Sequence, residues 1–258
     1  MAPLLTGKRF RPERYHYYPL LDSSNQQAAL LAQQGADEGT VVVAEQQSQG
    51  RGRLGRPWSS PAGINLYCSL LLRPAIAARH AAQLTLVAGL ALWHTAQEWG
   101  VQGCELKWPN DLLLQGRKAA GILTEMRAEG EKTQYVIVGI GVNLNGGRTD
   151  LPPELQAQAI HLAEALPAPI ERSRFLAALL QQWETWYDRY QTSGFAPLAT
   201  LWQQAARLPG RRVQIRLAEG SFAGEAVTLD ADGCLLVKRG DGMLTRVVAG
   251  DVTLLGEG

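Results

Sequence analysis

Nine consecutive residues, Gly50-Arg51-Gly52-Arg53-Leu54-Gly55-Arg56-Pro57-Trp58, hold three glycines, three arginines and a tryptophan. Glycine lets a backbone come close to a ligand, arginine offers a forked donor suited to carboxylates and phosphates, and tryptophan supplies a flat apolar face. A loop of that make-up suits an anionic nucleotide. Its glycines also satisfy GxGxxG, but the chain then runs into Pro57-Trp58-Ser59-Ser60-Pro61, which cannot open a long helix. Near position 70, where a ribose-binding acid would be needed, stands only LLLRP. No GxxxxGK[ST] run occurs either. Neither a dinucleotide fold nor a P-loop is expected.

A second constellation is Lys107-Trp108-Pro109-Asn110-Asp111. Pro109 is barred from a central ladder position, so Asn110 and Asp111 should lie at a strand end or in a turn. Read alone, a solvated turn explains them equally well. Seven residues on, Lys118 stands just after Gly116 and ahead of an apolar stretch, a position from which an ammonium can point into a site. Asp111 could hold that lysine or a metal ion, and Lys107 adds a second cation. Asn143 closes an apolar run beside Gly139 and Gly141, where an amide could read an adenine edge; Asn145 reads as a turn with Gly146.

These residues need elements to hold them. Ser23 to Gln26 fits a helix capping box with Ser23 as N-cap and Gly35 at C′. TVVVAE (40–45) and GINLYCSLLL read as strands, and His80–Trp99 has a helical stripe. CELKWP, DLLLQ, KAAGILTEMR and the continuous apolar YVIVGIGVNLN read as sheet strands. Two Leu- and Trp-rich helices follow, near Glu171–Thr192 and Phe195–Ala206. Composition shifts at Arg207-Leu208-Pro209-Gly210, after which short strands separated by Gly/Asp turns predict a small barrel of about five strands. Residues 1–20, basic and aromatic, read as an arm whose Lys8, Arg9, Arg11 and Arg14 form a solvated tail.

The 258 residues are 46% hydrophobic and 19% charged with a formal net charge of +1, so no global basic field draws the chain to nucleic acid or anionic lipid. Any bound anion must meet a local cluster of cations. Cys68, Cys104 and Cys234 show neither disulfide nor zinc spacing and read as small buried hydrophobes. His16, His80, His94 and His161 are scattered and read as structural or exposed. No signal peptide or membrane span is indicated, and a cytoplasmic protein is expected.

In order along the chain, DSSNQ, EQQSQGRGRLGRPW, KWPNDLLL, KAAGILTE and VGIGVNLN closely resemble the motifs of bacterial biotin protein ligases. The match runs from about Asp22 to the end and fits the short form without an N-terminal DNA-binding domain. The resemblance implies an α+β fold: an α/β mixed-sheet catalytic domain of the biotin/lipoate ligase type over 21–207, then an SH3-like β-barrel over 208–258. It implies an ATP-dependent ligase that makes biotinyl-5′-AMP and passes biotin to a lysine of a biotin carboxyl carrier protein of acetyl-CoA carboxylase or a related carboxylase. ATP, Mg²⁺ and biotin would bind, with no tightly held prosthetic group.

By the same resemblance, Ser23, Ser24, Asn25 and Gln47 would meet the ureido ring, and Arg51, Gly52 and Arg53 would close over biotin and adenylate. Lys118 and Arg53 would be catalytic, Lys118 lying against the biotin carboxylate and the α-phosphate. Trp58 and Asn143 would line the adenine side. Lys107, Asn110, Asp111 and Arg56 would serve the ATP phosphates, with Asp111 the candidate Mg²⁺ ligand. In some members a basic residue near the end of the barrel helps with ATP; here VAGDVTLL keeps Asp251 but places Leu255 four positions on. No nucleic acid or membrane partner is expected, and the chain is expected to be a monomer or weak homodimer. The alternative is a lipoate ligase or lipoyl/octanoyl transferase, which the Ser-Ser-Asn/Gln set disfavours because a dithiolane has no ureido group to hydrogen-bond.

Overall fold

The computed structural model describes residues 7–255, so parts of the expected arm and barrel (1–6 and 256–258) lie outside it. The strands of the larger sheet are β1 (Tyr15–Tyr18), β2 (Val41–Ala44), β3 (Leu66–Leu72), β4 (Cys104–Lys107), β5 (Asp111–Leu114), β6 (Arg117–Glu129) and β7 (Lys132–Val142). Their spatial order is β1-β2-β3-β7-β6-β5-β4, with β1 parallel to β2 and every other neighbour antiparallel.

Alternation of side chains sorts the two faces. Val41, Val43, Leu70, Leu72, Val136 and Val138 join the main core, under α2 (Gln83–Glu98), α3 (Arg172–Ser193) and α4 (Ala196–Ala206). On the opposite face Val42, Leu71, Tyr135 and Ile137 pack with Ala28 and Ala32 of α1 (Ser24–Gln33). Farther along β7 that face carries Gly139 and Gly141 instead of bulk. Half of the face is therefore covered by a helix, and the other half is left open by missing side chains. The opening is where the cleft forms.

β8 (Arg211–Leu217), β9 (Gly220–Leu229), β10 (Leu235–Arg239), β11 (Leu244–Val247) and β12 (Asp251–Leu254) make a second, antiparallel sheet in the order β11-β10-β9-β8-β12, of SH3-like barrel type. It is tied to the larger domain by polar contacts at the root of the cleft. Trp108 Nε1 donates to the Gly233 carbonyl at 3.0 Å, and Arg211 pairs with Glu105 at 2.6 Å. Among the described residues no helix is long and apolar enough to cross a membrane. The three cysteines are buried and free; burial pushes the Cys68 and Cys104 thiols up to about 12.

Two expectations are corrected. Ser23 is the N-cap of α1 and Gly35 follows the helix with φ +89°, but the Ser23 side chain makes no capping bond. The Ser24 amide, another of the orphan helix donors, goes to Gln47 Oε1 at 2.8 Å. The expected arm is also largely built in. Tyr15–Tyr18 pairs with β2, Phe10 is only 1% exposed, and the Glu184 carboxylate accepts from the backbone amides of Lys8 and Phe10 at 3.2 and 3.0 Å. Arg9, expected in a solvated tail, pairs with Glu38 at 2.8 Å and Asp188 at 2.9 Å. The sequence hid this because a single buried Phe carries no periodic signal. Phe10→Ala should cost about 3 kcal/mol of stability, as deletion of a buried aromatic does. A urea-melt change under about 0.5 kcal/mol, the size expected for a surface position, would contradict the packing.

Candidate active site

The cleft, about 680 Å³ in volume, opens on the α1 side of the larger sheet and is walled on one flank by the barrel. All fourteen residues singled out from the sequence line it: Ser23, Ser24, Asn25, Gln47, Arg51, Gly52, Arg53, Arg56, Trp58, Lys107, Asn110, Asp111, Lys118 and Asn143. Strand register explains its centre. Tyr67, Gly141, Gly121, Asp111 and Lys107 are successive cross-strand partners, one from each of β3, β7, β6, β5 and β4, and so share one face. The row runs from an aromatic, over two glycines, to a carboxylate and an ammonium.

Lys118 reaches that face through an irregularity. Leu112 faces Ala120 but Leu113 faces Lys118, so β6 holds one extra residue against β5 there. Regular alternation from Gly121 would send Lys118 to the opposite face; the bulge turns it into the cleft. Its Nζ lies 2.6 Å from Asp111 Oδ1, while Lys107 Nζ lies 3.1 Å from Oδ2. One buried carboxylate thus holds two ammoniums, leaving a surplus positive charge facing the cleft. Residues 158–160 strap the Lys118 backbone from outside: its amide donates to the Gln158 carbonyl at 2.7 Å, and its carbonyl accepts from the Ile160 amide at 3.0 Å. The Asn143 side-chain amide also reaches the Lys118 carbonyl, at 3.4 Å.

The Arg/Gly loop is folded as a small hairpin over this centre. Arg51 and Pro57 pair across it, Trp58 N–H donates to the Gly50 carbonyl at 2.8 Å, and Gly52 N–H donates to the Arg56 carbonyl at 2.7 Å. A Cβ on Gly50 would sit 2.5 Å from the Trp58 carbonyl oxygen, so the close approach requires glycine. Leu54 at the tip adopts φ +57° and is 73% exposed. The Trp58 indole lies flat on the glycine floor, where a Cβ at Gly141 would come within 2.6 Å of it, and the Lys118 ammonium sits 5.3 Å from its ring centroid. Arg53 donates to Asn110 Oδ1 and to the Gly250 carbonyl, each at 3.3 Å; burial lowers its pKa while Asp251 and Asp111 raise it. Arg56 pairs with Asp251 of the barrel.

The other end of the cleft is a polar network. Gln47 accepts from the Ser24 amide and donates through Nε2 to Ser60 Oγ at 2.9 Å. The Asn25 amide is used inside the protein at both atoms: Nδ2 donates to Glu125 at 2.7 Å and to the Leu123 carbonyl at 3.2 Å, and Oδ1 lies 2.6 Å from Ser69 Oγ. A side chain on Gly139 would collide with it. Sequence reasoning missed Ser69 and Glu125, although a lone polar residue inside LYCSLLL was a readable signal. It also missed Arg216 of β8, which lines the cleft without an ion pair or hydrogen bond to its side chain among the described residues.

Asp111, the candidate Mg²⁺ ligand, is a poor fit as a resident metal site. Both of its oxygens face lysine ammoniums, and among the described residues no three His, Cys, Asp or Glu side chains converge on one point.

Residues 17–143 match the biotin/lipoate A/B protein ligase family and residues 210–255 match the biotin protein ligase C-terminal domain. The chain is 38% identical over 238 residues to the bifunctional ligase/repressor BirA of Bacillus subtilis, covering 92% of this chain and 73% of that protein. It is 37% identical to the biotin–[acetyl-CoA-carboxylase] ligase of Paracoccus denitrificans over 84% of this chain and 91% of the other. Among solved structures, the biotin protein ligase from Aquifex aeolicus in complex with biotin and ATP superposes with a TM-score of 0.79 at 29% identity, covering 94% and 99% of the two chains.

The residue that follows the strap carries a titration of its own. His161 is wholly buried next to Gly146, with Glu164 Oε1 3.7 Å from Nδ1, and burial lowers its pKa below the ordinary value of 6.5 despite Glu164 and Asp150. A base whose folded pKa is depressed stabilises the fold above 6.5 and loses that contribution as pH falls toward the folded value. Denaturant melts from about pH 7 to about pH 5 should therefore lose less stability in His161→Leu than in the unsubstituted protein. Equal losses would show that His161 is not held neutral.

Proposed function

The chain belongs to the biotin protein ligase family, and on that footing we propose that it activates biotin with ATP and transfers the biotinyl group to a lysine of a carboxylase carrier protein. The observation that carries this reading is the Lys118 ammonium, turned into the cleft by a β-bulge and held 2.6 Å from Asp111 beneath the arginine loop. A carboxylate must approach the α-phosphate of ATP, and two anions repel. Cations already fixed around the meeting point offset that repulsion without reorganising during the reaction.

In the first step a biotin carboxylate oxygen bonds to the α-phosphorus, and the bond to the bridging oxygen of pyrophosphate breaks. Lys118 would sit between carboxylate and α-phosphate, with Arg51, Gly52 and Arg53 closing from the loop. Trp58 and Asn143 would border the adenylate. Lys107, Asn110 and Arg56 would face the departing pyrophosphate, and Arg216 offers a further unpaired cation from the barrel wall. Asp111 would act by positioning the two lysines. Mg²⁺, when present, would enter as part of the ATP complex and lower the charge of the polyphosphate. In the second step the neutral amine of the carrier lysine attacks the acyl carbon, AMP leaves, and the amine proton passes to solvent. Until then, the loop hairpin would keep water from the mixed anhydride.

The lipoate reading shares the fold but not the polar end of the cleft, where Ser24 and Gln47 face a position suited to a cyclic urea. The deciding assay gives the protein labelled biotin or lipoate, ATP, Mg²⁺ and a carrier domain. Biotin should become stably attached to one carrier lysine, and Lys118→Ala should reduce biotinyl-adenylate formation at least about 100-fold with an unchanged melting profile. Lipoate transfer alone, or normal adenylation by Lys118→Ala, would overturn the proposal.

A further inference from the structure

The network behind Ser24 has a fixed direction. Asn25 Nδ2 faces two acceptors, the Glu125 carboxylate at 2.7 Å and the Leu123 carbonyl at 3.2 Å, so its Oδ1 must turn to Ser69. Ser69 on β3 is 0% exposed and has one hydroxyl proton, which Asn25 Oδ1 claims at 2.6 Å. Ser69 Oγ can then meet Ser24 Oγ, 2.8 Å away, only as an acceptor, which draws the Ser24 proton inward. What Ser24 presents to the cleft is a lone pair. Gln47 is constrained the other way. Its Oε1 is taken by the Ser24 amide and one Nε2 proton by Ser60, so its remaining group is a donor.

We propose that Ser69 and Glu125 are positioning residues that set this polarity, making Ser24 an obligate acceptor for a ligand N–H next to a Gln47 donor for a ligand carbonyl. The pair reads the N–H and C=O of a cyclic urea in order, and refuses a ring that offers an oxygen where the N–H should be. Glu125 is exposed yet ends the relay with a full charge, so the direction is set electrostatically at the surface and delivered to the buried hydroxyl. Gly139 is the space that lets Asn25 lie between them. The inference rests on the ligase reading above and adds the residues that enforce its selectivity.

The test is calorimetric binding, without ATP, of biotin and of its cyclic carbamate analogue with ring oxygen in place of one N–H. The unsubstituted protein should prefer biotin at least about tenfold, since a buried group made to pair with an N–H is left facing a lone pair. In Ser69→Ala the Ser24 hydroxyl is free to turn, and the preference should shrink to about threefold or less. Glu125→Lys, at an exposed position, puts a donor where Asn25 needs an acceptor and should narrow the preference likewise; Glu125→Gln keeps an acceptor and should restore it. The KM for ATP should not move in any variant, which a general loosening of the cleft would not spare. An undiminished preference in both Ser69→Ala and Glu125→Lys would overturn the inference while leaving the ligase intact. Absence of biotin binding by the unsubstituted protein would instead overturn the ligase reading beneath it.

Discussion

One buried carboxylate organises the centre of this molecule. Asp111 stands between Lys107 and Lys118 at 3.1 and 2.6 Å, with little solvent to screen it. Two ammoniums alone would repel, and each would pay a desolvation cost for facing a half-enclosed cleft. One carboxylate between them removes the repulsion and fixes both stems, yet leaves one net positive charge for an incoming anion. Each other part of the site places something relative to that charge: the loop arginines from above, Trp58 against the floor, and Arg216 of the barrel from the flank.

Register and a single bulge build the arrangement. Because Tyr67, Gly141, Gly121, Asp111 and Lys107 are cross-strand partners, a one-residue slip of β5 or β6 would send Asp111 or its neighbours to the helix-covered face. The apolar residues on the other face, Val136, Val138 and Ile140 of β7 among them, hold that register by burial. Packing energy collected under α2 and α3 thus specifies the geometry of polar groups on the reverse side. The barrel contributes through the same logic at longer range: Trp108, between the Lys107 and Asp111 strands, is anchored to Gly233, which ties the strand pair to the barrel.

Much of this was legible in the sequence. The helices and strands appear as periodicity, and the five ordered motifs gather in one cleft because glycine, arginine and Lys/Asn/Asp runs mark backbone approach and anion contact. The rest was hidden for specific reasons. The bulge that aims Lys118 depends on the relative lengths of two paired strands, which no local pattern records. The strap at 158–160 lies in a stretch without periodicity and acts through backbone atoms. Ser69 and Glu125 matter through partners distant in sequence, and Arg216 matters through the docking of one domain on another. The Ser23 capping box does not form although Ser23 holds the N-cap position, and the adjacent Ser24 amide is met by Gln47 from beyond another strand end, a partner no local pattern records.

Central to the site is Asp111 holding two lysines, and Asp111→Asn isolates that role while nearly conserving shape. Single-turnover formation of biotinyl-adenylate, followed by pyrophosphate release, should slow about 100-fold or more, the size expected when charged groups lose their positions by an ångström or so. The ureido contacts of biotin at Ser24 and Gln47 should be spared, because the polar end of the cleft has no hydrogen bond to Asp111, so the loss should fall on the rate of adenylation more than on biotin binding. Adenylation at the unsubstituted rate would contradict the central claim.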